Sequence, residues 1–266
     1  MKVFDSHFHI INPDYPLTPN NGYLPDPFTV ADYRNSTKMI DIRGGAIVSG
    51  SFQAFEQEYL IHALKDLGKD YVGVANIPLD MPQDELKRLD DAGVVAVRFN
   101  VNRGGSETIQ NVGRLSNELF DKFGWHTELY INSRELADLK HLLLSIPSFS
   151  IDHLGLSKDG LDNLYYWAEK GVKVKATGFG RLDFEPIKVI RELYKINPDG
   201  IMFGSDLPST RSKTPFSIKD LELLTDNFSE VELDKILFSN AYNFYKKNAA
   251  PDGVITSHPH PDQPPR

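Results

Sequence analysis

The sequence predicts an α/β protein with a single (β/α)8 TIM-like barrel, on the basis of its length, its alternating segments and the number of its strands. A chain of 266 residues with 40% hydrophobic content can bury one large core, and barrels of this kind often form one domain of this size. Short β-branched runs alternate with longer segments of helical spacing, which is typical of βα units around a parallel sheet. Eight such runs occur, and eight is the number that closes the barrel.

The elements follow one another in order along the chain. Strands are expected near residues 2–8, 45–51, 71–76, 93–99, 126–131, 149–153, 172–177 and 201–205. Helices are expected between them at residues 56–67, 82–92, 109–123, 133–144, 160–170 and 184–194. A closing helix should begin after Ser229, because this residue and Glu232 form a capping box and an apolar face follows at Leu233, Ile236, Leu237 and Ala241.

Two segments depart from this alternation. Residues 12–37 contain five prolines, and a long irregular segment in a compact domain usually serves function, so this loop is expected to lie across the barrel mouth. Residues 250–266 contain five prolines and almost no apolar residue, a composition that cannot form a core. We therefore expect the barrel to comprise residues 1–247 and residues 248–266 to form a disordered C-terminal tail.

The composition excludes several classes of function. The formal net charge is −8, so the protein would repel a nucleic acid or an anionic membrane. Neither partner is expected. The absence of cysteine excludes disulfides, thiolate metal sites and a cysteine nucleophile, which leaves imidazole and carboxylate groups as metal ligands. The N-terminus has no signal-peptide pattern and no apolar run is long enough to span a bilayer, so a cytoplasmic location is expected.

The strongest functional motif is Asp-Ser-His-Phe-His at residues 5–9, where the first strand ends. Side chains two residues apart on a strand share a face, so His7 and His9 are expected to point together into the barrel mouth. Active sites of this fold lie at that end, where two imidazoles can chelate a divalent cation or polarise a carbonyl group. The same spacing recurs at His258 and His260, which lie in the tail and are given no role.

Two further polar residues directly follow apolar strands and would reach the same end of the barrel. Asp206 follows the eighth strand and His153 follows the sixth. Taken alone, Asp206 would be interpreted as a helix N-cap or turn residue and His153 as a structural histidine. Their coincidence with His7 and His9 favours a reaction centre of three imidazoles and one carboxylate.

These motifs resemble the amidohydrolase superfamily. The resemblance lies in Asp-Ser-His-Phe-His at 5–9, Asp-His-Leu-Gly at 152–155, Gly-Ser-Asp-Leu-Pro at 204–208 and Ser-Asn-Ala at 239–241, and it extends over residues 1–247. More narrowly, the chain is similar to the branch that contains 2-pyrone-4,6-dicarboxylate lactonase and sugar lactonases. The order and spacing of the motifs are specific for the superfamily and much less specific for the substrate.

The resemblance implies a hydrolase that opens a lactone or similar cyclic ester of a small carboxylate or sugar acid. The catalytic residues that it implies are Asp206, His7, His9 and His153. Asp206 would act as general base toward a water molecule. The imidazoles, or a metal ion that they hold, would stabilise the oxyanion that develops on the carbonyl group.

Metal dependence stays open at the level of the sequence. Metal-dependent members generally have a histidine where the fifth strand ends, and binuclear members have a carbamylated lysine where the fourth ends, whereas these positions here hold Tyr130 and Arg98. His126 opens the fifth strand and is expected at the opposite end of the barrel. A binuclear centre is therefore not expected. The alternatives are hydrolysis without metal, as in some members of the lactonase branch, and one zinc or manganese ion held by His7, His9, Asp206 and His153.

Arginines near the mouth predict an acidic small-molecule substrate. Arg98 ends the fourth strand, Arg103 lies in the loop after it, and Arg181 follows the seventh strand. Guanidinium groups bind carboxylates through paired hydrogen bonds, and the resemblance implies substrate-binding arginines at similar positions. It also implies hydrogen bonds from Tyr130 and Tyr23 to the substrate. Each of these residues has a structural alternative, in salt bridging for the arginines and in packing for the tyrosines.

Glu128 and Lys175 are expected inside the barrel below the mouth, because strand alternation directs both side chains inward. Buried unpaired charges are costly, so we expect the two residues to form an ion pair with each other or with Asp5. A Schiff-base lysine at this position is the rival interpretation.

Two other functions are compatible with the motifs. A nonoxidative decarboxylase of a small unsaturated or aromatic acid is the first, although such enzymes generally use the fifth-strand histidine that is missing here. A noncatalytic barrel that binds an acidic ligand or a partner protein is the second. Three histidines and an aspartate at one rim count against that interpretation, because a scaffold needs none of them.

Overall fold

The barrel consists of eight parallel strands, each hydrogen-bonded to the next in chain order. The computed structural model describes residues 1–246, so the predicted tail with His258 and His260 lies outside the described residues. The strands are β1 (Lys2–Phe8), β2 (Asp41–Val48), β3 (Tyr71–Ala75), β4 (Val94–Asn100), β5 (His126–Tyr130), β6 (Phe149–Ile151), β7 (Lys173–Ala176) and β8 (Ile201–Phe203). The predicted single (β/α)8 barrel is confirmed.

Helices lie between the strands and after the last one. The α-helices are α1 (Val30–Ser36), α2 (Glu58–Leu67), α3 (Gln83–Asp91), α4 (Val112–Phe123), α5 (Lys140–Leu143), α6 (Leu161–Glu169), α7 (Pro186–Ile196), α8 (Ile218–Thr225), α9 (Glu230–Asp234) and α10 (Asn240–Lys246). A π-helical stretch, Lys235–Ser239, joins α9 to α10, and short 3-10 helices occur at Ser51–Gln53, Ile109–Asn111, Ser133–Leu136, His153–Gly155, Lys158–Gly160 and Phe179–Arg181. Among residues 1–246, no helix has the length and apolar character that crossing a bilayer requires.

The observed elements differ from the predicted ones where tertiary contacts override local pattern. The sixth strand ends at Ile151 rather than at residue 153, because His153 and Leu154 adopt left-handed backbone angles, with φ of 50° and 48°. The predicted helix at 133–144 is broken into a 3-10 turn and the short α5. There the Ser133 carbonyl accepts a hydrogen bond from the Asn163 side chain at 3.1 Å. This bond turns the carbonyl away from a regular helix.

The loop at residues 12–28 crosses the barrel mouth, as predicted for the irregular segment after the first strand. Asn20 donates a side-chain hydrogen bond to the backbone carbonyl of Arg103, which lies after β4, at 3.2 Å. The backbone carbonyl of Asn20 also accepts a hydrogen bond from Arg211, which lies after β8. We call residues 12–28 the mouth loop. The rest of the predicted irregular segment contains α1, which begins at a capping box formed by Thr29 and Asp32.

The barrel closes where the chain beyond β8 runs beside β1. The Asp206 amide donates to the His7 carbonyl at 2.7 Å, and the His9 amide donates to the Leu207 carbonyl at 2.7 Å. These two bonds join the chain after β8 to the end of β1 and so connect the first and the last strand of the sheet. The residues that close the cylinder are therefore the residues that were predicted to form the reaction centre.

The Asp5 carboxylate holds the same seam from the side of the sheet that faces α1. It accepts hydrogen bonds from the Ser205 amide and from the Ser205 hydroxyl, both at 2.7 Å, and from the Tyr33 hydroxyl at 3.1 Å. Burial raises the pKa of the Asp5 carboxyl group to about 6, although the hydrogen bonds act to lower this pKa. The prediction that Glu128 and Lys175 pair with each other is confirmed, and Asp5 is used at the seam instead.

Helix α10 covers the end of the barrel opposite the mouth. The Tyr245 ring stacks on Phe4 with centroids 5.5 Å apart, and its hydroxyl donates to Glu128 inside the barrel. His126 opens β5 at this end and packs against Phe244, with ring centroids 4.1 Å apart. His126 is therefore at the end opposite the mouth, as predicted.

We predict that Gly204→Ala weakens closure of the barrel. An added Cβ at Gly204 would lie 2.7 Å from the His7 amide nitrogen and 2.7 Å from Thr177 Cγ2, so the chain after β8 would have to move away from β1. Strain of this kind costs about 1–3 kcal/mol of unfolding free energy, which a urea titration followed by circular dichroism would measure.

The matched control is Gly113→Ala in α4. There the added Cβ would meet only side-chain atoms, with Ser145 Oγ nearest at 3.0 Å, and alanine favours a helix over glycine by about 1 kcal/mol. We expect the control to leave the urea midpoint nearly unchanged or to raise it. Equal midpoints for the two variants would show that close approach at the seam does not limit stability.

Candidate active site

Four side chains from three parts of the chain meet at the barrel mouth around one carboxylate oxygen. The distances from Asp206 Oδ1 to the Nε2 atoms of His9, His7 and His153 are 3.8, 3.9 and 4.0 Å. All four side chains are buried. The structure thus brings together the residues that the sequence suggested.

The Nδ1 atom of each histidine contacts a neighbouring group, and each Nε2 atom faces Asp206. His9 Nδ1 lies 2.7 Å from the Val48 carbonyl, which can only accept, so Nδ1 carries the proton and Nε2 is bare. His153 Nδ1 lies 2.6 Å from the Thr177 hydroxyl. Hydrogen bonds of this kind orient imidazoles for ligation or proton transfer.

Backbone strain helps to aim two of the four side chains. His153 has φ of 50° and Asp206 has φ of 58°, which places both residues in the left-handed region that disfavours non-glycine residues. Such strain persists only where the surrounding structure imposes it, and it is concentrated at functional sites. The strain therefore supports a functional interpretation of these two positions.

The distances leave space for one small species between the four groups. Separations of 3.8 to 4.0 Å are too long for direct hydrogen bonds, and Asp206 Oδ1 and His7 Nε2 are buried with no hydrogen-bond partner among the described residues. Buried polar atoms rarely lack a partner, so a water molecule or a cation is expected there. His7, His9 and Asp206 offer atoms within 4.8 Å of one another, and imidazole with carboxylate suits zinc or manganese. The donor set therefore fits a single divalent cation.

Burial keeps the three imidazoles neutral. It is the largest cause that lowers the pKa of each ring, and it places the pKa of His9 and of His153 well below the usual range. The positive charges of Arg98 and Arg181 act in the same direction on His9. Neutral rings present a lone pair or an N–H group to the reaction centre, as a ligand or an electrophile requires.

Asp152 is a buried residue of the site that sequence analysis did not assign. Its Oδ2 accepts from the Arg98 guanidinium at 3.0 Å, and its Oδ1 lies 3.4 Å from Lys175 Nζ and 3.4 Å from His7 Nδ1. Burial alone would raise its pKa, but the neighbouring charges, chiefly that of Lys175, hold it well below the usual range. Its position directly before His153 was the only signal in the sequence.

Arg98 lies inside the barrel, where its strand position placed it, but its guanidinium is largely engaged by the protein. Besides the bond to Asp152, it donates to the Ser49 carbonyl at 2.6 Å, and only Nε lacks a partner among the described residues. It lines the cavity at the mouth while anchoring β4 to neighbouring strand ends. A structural function and a substrate contact through Nε are both compatible with this position.

Arg181 fixes the orientation of the Asp206 carboxylate. Its Nε donates to Asp206 Oδ2 at 2.7 Å, and the Arg181 side chain is only 7% exposed. Oδ1 is thereby left facing the imidazoles. Arg181 thus contacts the carboxylate of the predicted reaction centre and also lines the cavity at the mouth, where a contact with the substrate stays a prediction.

Tyr130 forms one wall of the mouth, between an arginine and a histidine. The Arg103 guanidinium lies 5.4 Å from the centroid of the Tyr130 ring, and the opposite contact is an edge-on approach of His153 at 5.2 Å. Tyr23 lies in the mouth loop, with the Arg211 guanidinium 4.4 Å from its ring centroid. Both tyrosines thus lie at the mouth, as the sequence suggested.

A cavity of about 30 Å³ lies at the centre of the mouth. This volume holds about one or two water molecules. Four arginines surround it in a chain whose net charge is −8. The lining residues are His9, Gly50, Ser51, Phe52, Arg98, Asn100, Arg103, Tyr130, His153, Arg181, Thr210 and Arg211.

Arg211 is the second residue that sequence analysis missed. It lies in the irregular loop after β8, and no motif or spacing marks it. Burial and the charges of Arg181 and Arg211 lower the pKa of Arg103, which shows that these guanidinium groups repel one another. A bound anion would relieve this repulsion.

Comparisons with known proteins show which families and proteins have a similar sequence. A family model for amidohydrolases matches residues 4–247. The 2-pyrone-4,6-dicarboxylate hydrolase of Comamonas testosteroni is 26% identical over an alignment 278 residues long. The alignment covers 91% of this chain and 89% of that protein.

Solved structures share the fold at lower identity. A probable 2-pyrone-4,6-dicarboxylic acid hydrolase from Acinetobacter baumannii with bound citric acid is 20% identical, with a TM-score of 0.77 and coverage of 92% of this chain and 99% of that one. An Agrobacterium tumefaciens protein is 18% identical, with a TM-score of 0.81 and coverage of 92% and 95%.

Proposed function

The chain belongs to the amidohydrolase family, and from this premise we propose that it hydrolyses a lactone or similar cyclic ester of a small carboxylic acid. The observation that carries the proposal is the state of the Asp206 carboxylate. One oxygen is fixed by Arg181 at 2.7 Å, and the other is buried, unpaired among the described residues and surrounded by three imidazoles. An oriented carboxylate with one free oxygen is suited to accept a proton from water.

In the proposed reaction, Asp206 Oδ1 removes a proton from a water molecule while the water oxygen attacks the carbonyl carbon. The negative charge that develops on the carbonyl oxygen is stabilised by imidazole groups at the same centre. The tetrahedral intermediate then breaks the ring C–O bond, and the proton on Asp206 passes to the departing ring oxygen. The products are a carboxylic acid and a hydroxyl group on one open chain.

The centre also fits a single zinc or manganese ion. His7, His9 and Asp206 would hold it, with His153 close by, and the ion would supply a Lewis acid that polarises the carbonyl group. Protein purified without added metal, subjected to elemental analysis beside an activity assay, distinguishes the two forms. One ion per chain with loss of activity on chelation indicates the metal form, whereas full activity without metal indicates imidazole electrophiles.

The arginines at the mouth support an acidic substrate. They create a local positive region in a protein whose net charge is −8, and such a region attracts small anions. The relative from Comamonas testosteroni is named for a dicarboxylate, and the Acinetobacter baumannii structure contains citric acid. A cavity of about 30 Å³ is smaller than such a molecule, so the proposal requires either movement of a lining residue such as Arg211 or use of the adjoining cavity of about 300 Å³, which also contains Arg103 and Arg181.

We predict that Asp206→Asn lowers kcat for lactone hydrolysis by about 10²–10⁴-fold, because an amide cannot accept the proton from water. A pH-stat assay of acid release over a panel of lactones measures this. Asp26→Asn, in the exposed part of the mouth loop, is the control and should keep wild-type activity. An Asp206→Asn variant with near-normal turnover would refute the general-base assignment.

The same panel separates the alternative functions. Release of carbon dioxide in place of acid would assign the chain to the decarboxylases. If no lactone of the panel is hydrolysed and a dicarboxylate binds tightly, the chain is a binding protein without catalytic activity.

We also predict that Arg103→Met raises KM for carboxylated lactones by about 10- to 100-fold, since a charge-assisted hydrogen bond contributes roughly 1.5–3 kcal/mol. Methionine retains contact with Tyr130 but removes the charge. The KM for an uncharged lactone should stay nearly constant. Arg43→Met is the matched control, because this side chain is 59% exposed and lies near the start of β2, away from the mouth. An equal change in KM for both kinds of lactone would mean that Arg103 acts through packing alone.

A further inference from the structure

Lys175 lies at the centre of the barrel, directly beneath the reaction centre, and the proposed reaction does not use it. The side chain is fully buried. Its Nζ donates to Glu128 Oε2, lies 3.3 Å from His7 Nδ1 and lies 3.4 Å from Asp152 Oδ1. An ammonium group has N–H donors and no acceptor, so Glu128 Oε2 and His7 Nδ1 accept hydrogen bonds from it, while the Asp152 carboxylate is an ion-pair partner.

His7 Nδ1 therefore lies between two neighbours of opposite character. The Lys175 ammonium can only donate, whereas the Asp152 carboxylate can only accept. The contact with Lys175 at 3.3 Å has hydrogen-bond geometry. The approach to Asp152 Oδ1 at 3.4 Å does not, and that oxygen has no hydrogen-bond partner among the described residues. The geometry thus favours Nδ1 as the acceptor of a hydrogen bond from Lys175.

We propose that Lys175 is a positioning residue that fixes His7 in the tautomer with its proton on Nε2. His7 then presents an N–H group to the centre, 3.9 Å from Asp206 Oδ1. His9 is fixed in the opposite tautomer by the Val48 carbonyl and presents a bare nitrogen. The two histidines of one strand consequently have different functions, one as donor and one as acceptor.

The charges around Lys175 support this arrangement. Burial opposes ionisation of Glu128 and Asp152, but the charge of Lys175 is the largest cause that lowers the pKa of each, so both remain carboxylates. Arg98 balances the second carboxylate at 3.0 Å. The network of Glu128, Lys175, Asp152 and Arg98 is then electrically neutral with a neutral His7 above it, and no buried charge is left unpaired.

The tautomer has a direct chemical consequence. An N–H group at Nε2 is a donor to the oxygen that becomes negative during ester hydrolysis, which is the part of the inference that rests on the proposed function. A protonated ring nitrogen has no lone pair for a cation. In this metal-free state His7 acts as an electrophile for the substrate, and ligation of a metal ion through Nε2 would require the proton to move to Nδ1.

Nitrogen NMR of protein labelled with ¹⁵N-histidine tests the tautomer directly, because protonated and bare ring nitrogens have well-separated chemical shifts. The signals of His7 are assigned by their loss in His7→Asn. In metal-free protein at neutral pH, we expect His7 to show a bare Nδ1 and a protonated Nε2. A protonated Nδ1 on His7 would overturn the proposal.

A charge-balanced double variant tests the contribution of Lys175. Lys175→Met with Glu128→Gln removes one positive and one negative charge, so no new unpaired charge is buried. We expect His7 to switch to a protonated Nδ1 that donates to Asp152, and kcat on a lactone to fall by about 100-fold with little change in KM. Glu128→Gln alone keeps the ammonium and should keep the wild-type tautomer. An unchanged tautomer in the double variant would contradict a positioning role.

The experiment separates the two proposals because the tautomer is measured without substrate. The expected tautomer in a protein that hydrolyses no lactone would refute the proposed function and leave the inference on Lys175 intact. Lactone hydrolysis by a protein whose His7 carries its proton on Nδ1 would refute only this inference.

Discussion

Charges buried inside the barrel must be paired with one another, and this requirement determines how the interior is arranged. Glu128, Lys175, Asp152 and Arg98 come from or directly follow four neighbouring strands and form one chain of alternating sign. The Asp206 carboxylate is paired in the same way with Arg181 at 2.7 Å. His7 Nε2 and Asp206 Oδ1 are among the buried side-chain atoms of the described residues that still lack a hydrogen-bond partner, and they lie 3.9 Å apart at the mouth. A substrate, a water molecule or an ion between them would supply the missing partner.

The same arrangement makes the centre rigid, whereas the segment over its entrance is held by separate contacts. His9 and His153 are held by hydrogen bonds from their outer ring nitrogens, and His153 and Asp206 are held in strained backbone conformations. Preorganised groups of this kind do not reorient when charge develops, which is the main source of electrostatic catalysis. The mouth loop, in contrast, is attached to the barrel through Asn20, through the Thr18 amide, which donates to the Phe52 carbonyl at 2.7 Å, and through the Tyr15 hydroxyl, which lies 2.5 Å from His62 Nδ1. None of these contacts involves a residue of the reaction centre, so movement of the loop would leave that centre intact.

The barrel and the convergence of the four groups could be predicted from the sequence because both depend on local patterns. Each strand is an apolar run, and alternation along a strand placed His7 and His9 on one face and directed Glu128 and Lys175 inward. The sequence could not reveal contacts made between distant segments. Asp152 pairs with an arginine 54 residues away, and Arg211 reaches the mouth from an irregular loop. The end of β6 was also misplaced, because the left-handed conformation of His153 is imposed by packing and has no local signature.

The seam between the first strand and the chain after β8 can form only late in synthesis, because its two sides are far apart in the sequence. His7 and His9 are synthesised about two hundred residues before their backbone partners, Asp206 and Leu207. Until then the first strand has an unpaired edge, which is prone to pair with other chains. A truncated product that ends before Gly204 would be inactive and liable to aggregate, so neither half of the chain can acquire the activity alone.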